Sequence, residues 1–300
     1  MKVFFTNDVE HTSVNGATFE RIADMVEQKT LPMLLDLYEK YEVKSTFFVL
    51  GELAKIRPNI VKMIANRQQE VASHGFTHDY QHAFDVLSYE EQVRELQDSK
   101  DLLEQICGQE VVSFRAPALR VNHDTPMALQ EAGYKFDSSI APQRMDAFMS
   151  LGSKNKKQWL KAPRAIYETD EHNLAQRGNS GIIEVPISSV GVPYIGTVMR
   201  ISPHWLDAMT RRLLYWETKG ESEKSINFLF HPSEAVQELE IESTPRNRAS
   251  SALGHLFSDI LRAKLKLRHL DLSALELLEI ELRFWQKRGG NFNQIKEAKL

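Results

Sequence analysis

Short runs rich in Val, Ile and Phe alternate along this chain with longer stretches in which apolar residues recur every three or four positions. Val3-Phe4-Phe5, KSTFFVLG (44–51), QEVASHG (69–75), EVVSFRAP (110–117), GYKFDSSI (133–140), GIIEVPIS (181–188) and SINFLFHP (225–232) have the length and flanking punctuation of buried strands. Between them, residues 18–41 read as helix with Pro32 interrupting the run, and residues 52–67 as another. Ser88 and Glu91 form a capping box for a helix running to about Gly108. Thr125-Pro126 reads as N-cap and N1, and Ser202-Pro203 opens a helix ending near Gly220. In that last helix Trp205, Leu206, Met209, Leu213, Leu214 and Trp216 read as core packing rather than as a cofactor or membrane face. Strand–helix alternation of this kind predicts an α/β fold with a parallel sheet, open or closed into a barrel.

The rhythm breaks at residues 141–180, which are polar and aperiodic and read as an insertion or long loop suited to substrate contact. From about 248 to 288 the chain looks helical, and NFNQIKEAKL reads as a final short strand or tail. The whole is expected to be one domain, 1–300, with the insertion at 141–180 and a helical C-terminal extension at about 240–300.

Composition narrows the functional classes. With 42% hydrophobic and 26% charged residues the 300-residue chain is an ordinary globular one. A net charge of −4 and a pI near 6.2 give no electrostatic reason to expect a nucleic-acid partner. Cys107 is the single cysteine, which excludes an intramolecular disulfide and any multi-cysteine metal site. The N-terminus reaches Asp8 before an apolar run could become a signal peptide, and no transmembrane stretch is evident, so a cytoplasmic protein is expected.

The candidate chemistry sits where the proposed strands end: Asp8 and Glu10, then His74 and His78, Arg115 to Pro117, Asp137-Ser-Ser, and His231-Pro232. In parallel α/β sheets and barrels that edge is where sites are built. His74, His78 and His82 are four apart, which on a helix would put all three on one face. Two imidazoles and one carboxylate make a divalent-metal triad with room for water, as in catalytic zinc. A second carboxylate can take a proton from that water, and a histidine opposite can protonate a leaving group; Asp8 and Glu10 share one side of an extended chain. The parts suit hydrolysis of an amide or ester. The bland alternatives are solvated turn carboxylates, structural histidines, and a helix cap at Asp137.

Asp8-Val-Glu10, Ser73-His74-Gly-x-x-His78, Phe114-Arg115-Ala-Pro117, Tyr134-x-x-Asp137-Ser-Ser139 and Leu229-Phe-His231-Pro232 occur in that order. The series resembles the successive motifs of the polysaccharide deacetylase (NodB-homology) family of metal-dependent carbohydrate esterases. It is most similar to the Asp-Val-Glu subgroup, which GIIEVP at 181–186 also resembles. The resemblance spans roughly residues 1 to 235. It implies a distorted (β/α) barrel of seven or eight strands and removal of an acetyl group from an N-acetylated sugar, glycan, glycolipid or nucleotide-sugar intermediate. It further implies one divalent metal ion, zinc by preference, on His74, His78 and a carboxylate. Asp8 matches the base, Arg115 the arginine that orients it, His231 the acid, and Asp137 the carboxylate that tunes that histidine. The usual pair of adjacent aspartates is absent, so the metal carboxylate falls to Glu10, or to Asp8 itself. Pro117 and Arg120 are candidate substrate contacts, although Arg120 also reads as a surface arginine. His82 matches no motif. Two rival readings are hydrolysis of a small non-sugar amide and a catalytically silent glycan binder.

Overall fold

A computed structural model describes residues 1–10, 19–79, 82–143, 159–220, 224–236 and 268–300. Seven strands run parallel in one curled sheet: β1 (Lys2–Val9), β2 (Ser45–Val49), β3 (Glu70–Ser73), β4 (Ser113–Phe114), β5 (Phe136–Asp137), β8 (Ile183–Glu184) and β11 (Ile226–Phe230), in the order β11-β1-β2-β3-β4-β5-β8. Beyond β8 the sheet continues antiparallel into β6 (Tyr167–Asp170) and β7 (Asn173–Arg177). That hairpin occupies the part of the chain expected to be loop, and residues 144–158 of the expected insertion lie outside the described residues. Between β8 and β11 the ring is completed irregularly, around the small hairpin β9 (Ser189–Val190) and β10 (Val192–Pro193). Ser188 N–H donates to the Asn227 carbonyl at 3.0 Å, and Ile195 bridges Leu229 in parallel. This is the distorted barrel the motif series implied.

Helices coat the outside: α1 (Phe19–Met25), α2 (Leu31–Lys40), α3 (Gly51–Ile56), α4 (Pro58–Asn66), α5 (Tyr89–Cys107), α6 (Thr125–Glu131), α7 (Gly196–Ile201), α8 (His204–Gly220) and α9 (Ser273–Gln286). Pro32 does interrupt the first run, which passes through a π-turn at Val26–Thr30, and Pro58 splits the second after Arg57. Thr125 and Pro126 are the first two helical residues of α6, one position later than their expected capping roles.

Alternation along β1 sorts its side chains between two environments. Val3, Phe5 and Val9 join the core under the helices, while Phe4 joins a second cluster with Phe48, Ala72, Val112, Phe136 and Val185 inside the barrel. Ile295 and Ala298 belong to that inner cluster. The C-terminal segment therefore seals the lumen at the strands' N-terminal end: β12 (Asn291–Phe292) pairs with β1, and Ile295 N–H donates to Thr46 Oγ1 at 2.8 Å. The opposite end is left for the site.

One helix reverses its expectation. On α8 only Leu214 of the expected core residues is buried; Trp205 and Trp216 are 68% and 75% exposed. The inward face carries Arg211, which pairs with the buried Glu281 of α9.

The capping box at Ser88 is formed in both directions, and Gly108 closes α5 in the left-handed conformation at φ 67°. Ser88→Ala is expected to lower the unfolding free energy by about 1 kcal/mol in a urea titration with unchanged slope. An unchanged midpoint would show that the first turn of α5 frays independently of global unfolding.

Candidate active site

The even-numbered residues of β1 face the lumen, so Asp8 and Glu10 emerge side by side at its open end. Both are buried, with side-chain exposures of 5% and 9%. Arg115, at the end of β4, reaches across from the other wall. Its guanidinium lies 4.2 Å from the Phe48 ring centroid and is fully buried. Nη1 donates to Asp8 Oδ1 at 2.8 Å, Nε to the Ser138 carbonyl at 2.8 Å, and Nη2 to Thr6 Oγ1 at 2.9 Å and Ser138 Oγ at 2.7 Å. Asn227 completes the cradle through Ser138 Oγ at 3.0 Å. The arginine is thus held on every side while fixing one oxygen of Asp8.

The backbone of the same residue fixes a histidine. His74 Nδ1 lies 2.8 Å from the Arg115 carbonyl, which places its proton there and leaves Nε2 as the free lone pair. His74 follows β3, and the chain then turns at Gly75 (φ 76°) into a loop, so the four-residue histidine spacing is not that of one helix face. Glu95 of α5 holds that loop, accepting from Phe76 N–H at 3.1 Å and Thr77 N–H at 2.7 Å. The loop returns His78 to the site: its Nε2 is 3.1 Å from Glu10 Oε2, and His74 Nε2 is 3.5 Å from the same oxygen. Donor atoms of Glu10, His74 and His78 all lie within 4.8 Å of one another. Burial alone would raise the Glu10 pKa, but His78, His74 and His231 hold it well below the ordinary carboxylate range.

His231 follows β11 and faces this group from the side. Its Nε2 is 3.9 Å from both Asp8 Oδ2 and Glu10 Oε1, and its Nδ1 is 3.5 Å from Glu234 Oε1. Burial would lower the His231 pKa, yet the Glu234 hydrogen bond and the charges of Glu234, Glu10 and Asp8 raise it to about 9. Glu234 is itself opposed by burial but held down to about 2, chiefly by Arg200 and His231 with Thr197 also bonded. Gly196 lies against this carboxylate so closely that a Cβ there would overlap Glu234 Oε2. His78 and His231, with side-chain exposures of 15% and 22%, form the open side of the site.

Six of the residues singled out in the sequence therefore converge: Asp8, Glu10, His74, His78, Arg115 and His231. Asp137 does not join them. Ser138 points into the lumen at Arg115, so its neighbour must point out. Asp137 instead bonds Ser139 and the buried Glu184, and burial with mutual repulsion raises the Glu184 pKa well above its ordinary value. The partner of His231 is Glu234, three residues on in a 3₁₀ turn, which the sequence reading missed. Pro117 is buried against Gly75 at the base of the site, followed by Ala118 and Leu119 in the left-handed region at φ 53° and 54°. Arg120 is tied to Asp85 at 2.7 Å, and His82 sits on the surface beside Asp79.

Residues 11–136 match the sequence profile of the family described as polysaccharide deacetylase. A peptidoglycan deacetylase of Helicobacter pylori is 30% identical over 110 residues, which are 37% of this chain and 36% of the relative. A peptidoglycan deacetylase-like protein of Gibberella zeae is 32% identical over 98 residues, 33% of this chain and 28% of that protein. These alignments thus span only about a third of the curated relatives' length. The fold is that of a solved structure described as a probable polysaccharide deacetylase from Pseudomonas aeruginosa, with a TM-score of 0.58 at 11% identity, covering 98% of this chain and 88% of the other. Among the described residues no helix is long and apolar enough to cross a membrane.

Removing the Arg115 side chain strands the buried Asp8 carboxylate. Arg115→Met is expected to lower stability by about 3–5 kcal/mol in chemical denaturation. A loss under about 1 kcal/mol would mean that Asp8 finds another partner or solvent.

Proposed function

We propose that this chain, a relative of the polysaccharide deacetylases through residues 11–136, hydrolyses the N-acetyl group of a sugar, with one divalent metal ion held by Glu10, His74 and His78. One carboxylate and two imidazoles match the donor set of catalytic zinc and not the all-oxygen sets of magnesium or calcium. Such an ion, when bound, supplies a Lewis acid for the acetyl carbonyl and lowers the pKa of water.

The observation that carries the reading is the unequal fate of the two carboxylates on β1. Glu10 turns both oxygens toward histidines, whereas Asp8 has Oδ1 bound by Arg115 and only Oδ2 left facing the site. Asp8 Oδ2 stays 3.9 Å from His74 Nε2, farther than Glu10 Oε2 at 3.5 Å, and is placed to take a proton from attacking water. His231, kept protonated by Glu234, stands on the open side and gives its Nε2 proton to the departing amine as the C–N bond breaks. Arg115 and the Phe48 ring beneath it keep Asp8 from moving during the transfer.

Peptidoglycan is the substrate named for the Helicobacter relative, and its N-acetyl hexosamine is the chemistry we assign to this site. Glycan, glycolipid and nucleotide-sugar intermediates carry the same group.

Acetate release from N-acetylglucosamine oligomers is expected to vanish after chelation and to return with zinc. Release that persists in the stripped protein contradicts the proposal. A metal-dependent activity found only on non-sugar amides moves the substrate class, and a metal-loaded but inert protein points to the silent binder. Because His231 acts in its protonated form, activity falls as pH rises through its pKa. A cation bound beside Glu10 lowers that pKa, so the effect of Glu234 is read as a difference: Glu234→Gln should move the alkaline limb of kcat/KM to lower pH than in the native chain. An unmoved limb would remove Glu234 from the mechanism.

A further inference from the structure

The outward face of α8 is built the opposite way from a solvated helix. Its exposed apolar side chains are Trp205, Met209, Leu213 and Trp216, with exposures of 68%, 44%, 44% and 75%. At about 3.6 residues per turn they form one stripe roughly 16 Å long. Arg212 and Lys219 are the exposed charges of the face and fall together along one edge of the stripe. Arg288 extends that edge: its guanidinium stacks 3.7 Å over Phe284 and lies 5.4 Å from the Tyr215 ring, with the Lys219 ammonium 5.2 Å from the same ring.

The acidic residues of α8 are each neutralised by an arginine, Asp207 on the far side of the helix and Glu217 at the opposite edge of the stripe. Asp207 pairs with Arg211 at 2.6 Å and Glu217 with Arg164 at 2.6 Å, so none of the helix's exposed positions is a carboxylate. Two amphipathic indoles, two flexible apolar side chains and a cationic margin are the composition of a helix lying in a bilayer interface. A protein partner of matching shape would be served equally by neutral or acidic rim residues. The one-sided positive margin specifies a negative, extended surface.

We propose that this face of α8 docks on an anionic lipid bilayer, with Trp205 and Trp216 entering the headgroup region and Arg212, Lys219 and Arg288 meeting lipid phosphates. Thr197 and Arg200 of α7, just before α8, reach Glu234 beside His231, and Thr218 near the end of α8 reaches Met1 beside the start of β1, so Trp205 lies at the site end of the barrel. The inference is independent of the reaction catalysed.

The test is co-sedimentation of the full chain with phosphatidylcholine vesicles containing or lacking phosphatidylglycerol, at low and at physiological salt. Binding to the anionic vesicles, weakened by salt, is expected, with a blue shift of tryptophan emission from Trp205 and Trp216; Trp285 and Trp159 are already buried. Trp205→Ser with Trp216→Ser should weaken binding at least about tenfold. Arg212→Gln with Lys219→Gln should weaken it about fivefold per charge at low salt. Thermal melts confirm that these surface variants stay folded. Equal binding to neutral vesicles, undiminished binding by the double tryptophan variant, or no binding at all overturns the proposal. So does a concentration-dependent dimer that the tryptophan variant abolishes, since the face then belongs to a second copy.

Discussion

Everything at the site hangs on a buried arginine. Arg115 is an ion taken wholly out of water, a placement that is unfavourable unless its donors and charge are met on every side. Asp8, Thr6, Ser138 and the Ser138 carbonyl meet them, and those groups come from β1 and the residue after β5, whereas Arg115 itself follows β4. Closing the barrel is therefore the same event as orienting Asp8. The Arg115 carbonyl simultaneously sets the tautomer of His74, so one residue coordinates a carboxylate through its side chain and an imidazole through its backbone.

The lumen is graded to suit this. Aromatic and aliphatic side chains fill its lower part around Phe4 and Phe48, and the C-terminal segment closes it through Ile295 and Ala298. Moving up β1 the same face changes from Phe4 to Thr6 to Asp8 to Glu10, from apolar to hydroxyl to carboxylate. Dry packing below removes water as a competitor for Arg115, and the polar tier above carries the reactive groups. Glu10 lies beyond the arginine's reach and closer than Asp8 to His74, and on this difference of one strand repeat rests our proposal that Asp8 accepts a proton and Glu10 holds metal.

Much of this was legible in the sequence, because strand parity is local. Spacing two apart put Asp8 and Glu10 on one face, and strand-end positions gathered His74, Arg115 and His231 to one edge. The errors have the same local origin. Asp137 was assigned to the histidine, but Ser138 takes the inward position and a one-residue change of parity reverses the side chain. The four-residue His74–His78 spacing would fit one helix face, but a loop produces it here, and its turn at Gly75 and anchor at Glu95 lie outside any periodic pattern. Glu234 escaped notice because a glutamate after His-Pro-Ser reads as surface until Arg200 is seen behind it. On α8 the apolar positions suggest core packing, but periodicity does not say which face turns inward; the Arg211–Glu281 pair decides that the other one does.

The most direct test compares metal content by elemental analysis in Asp8→Asn and Glu10→Gln, each purified and loaded with zinc alongside the native chain. Asp8→Asn is expected to keep its metal while acetate release collapses, and Glu10→Gln to lose both. Loss of metal in Asp8→Asn with retention in Glu10→Gln would exchange the roles of the two carboxylates and contradict the account at its centre.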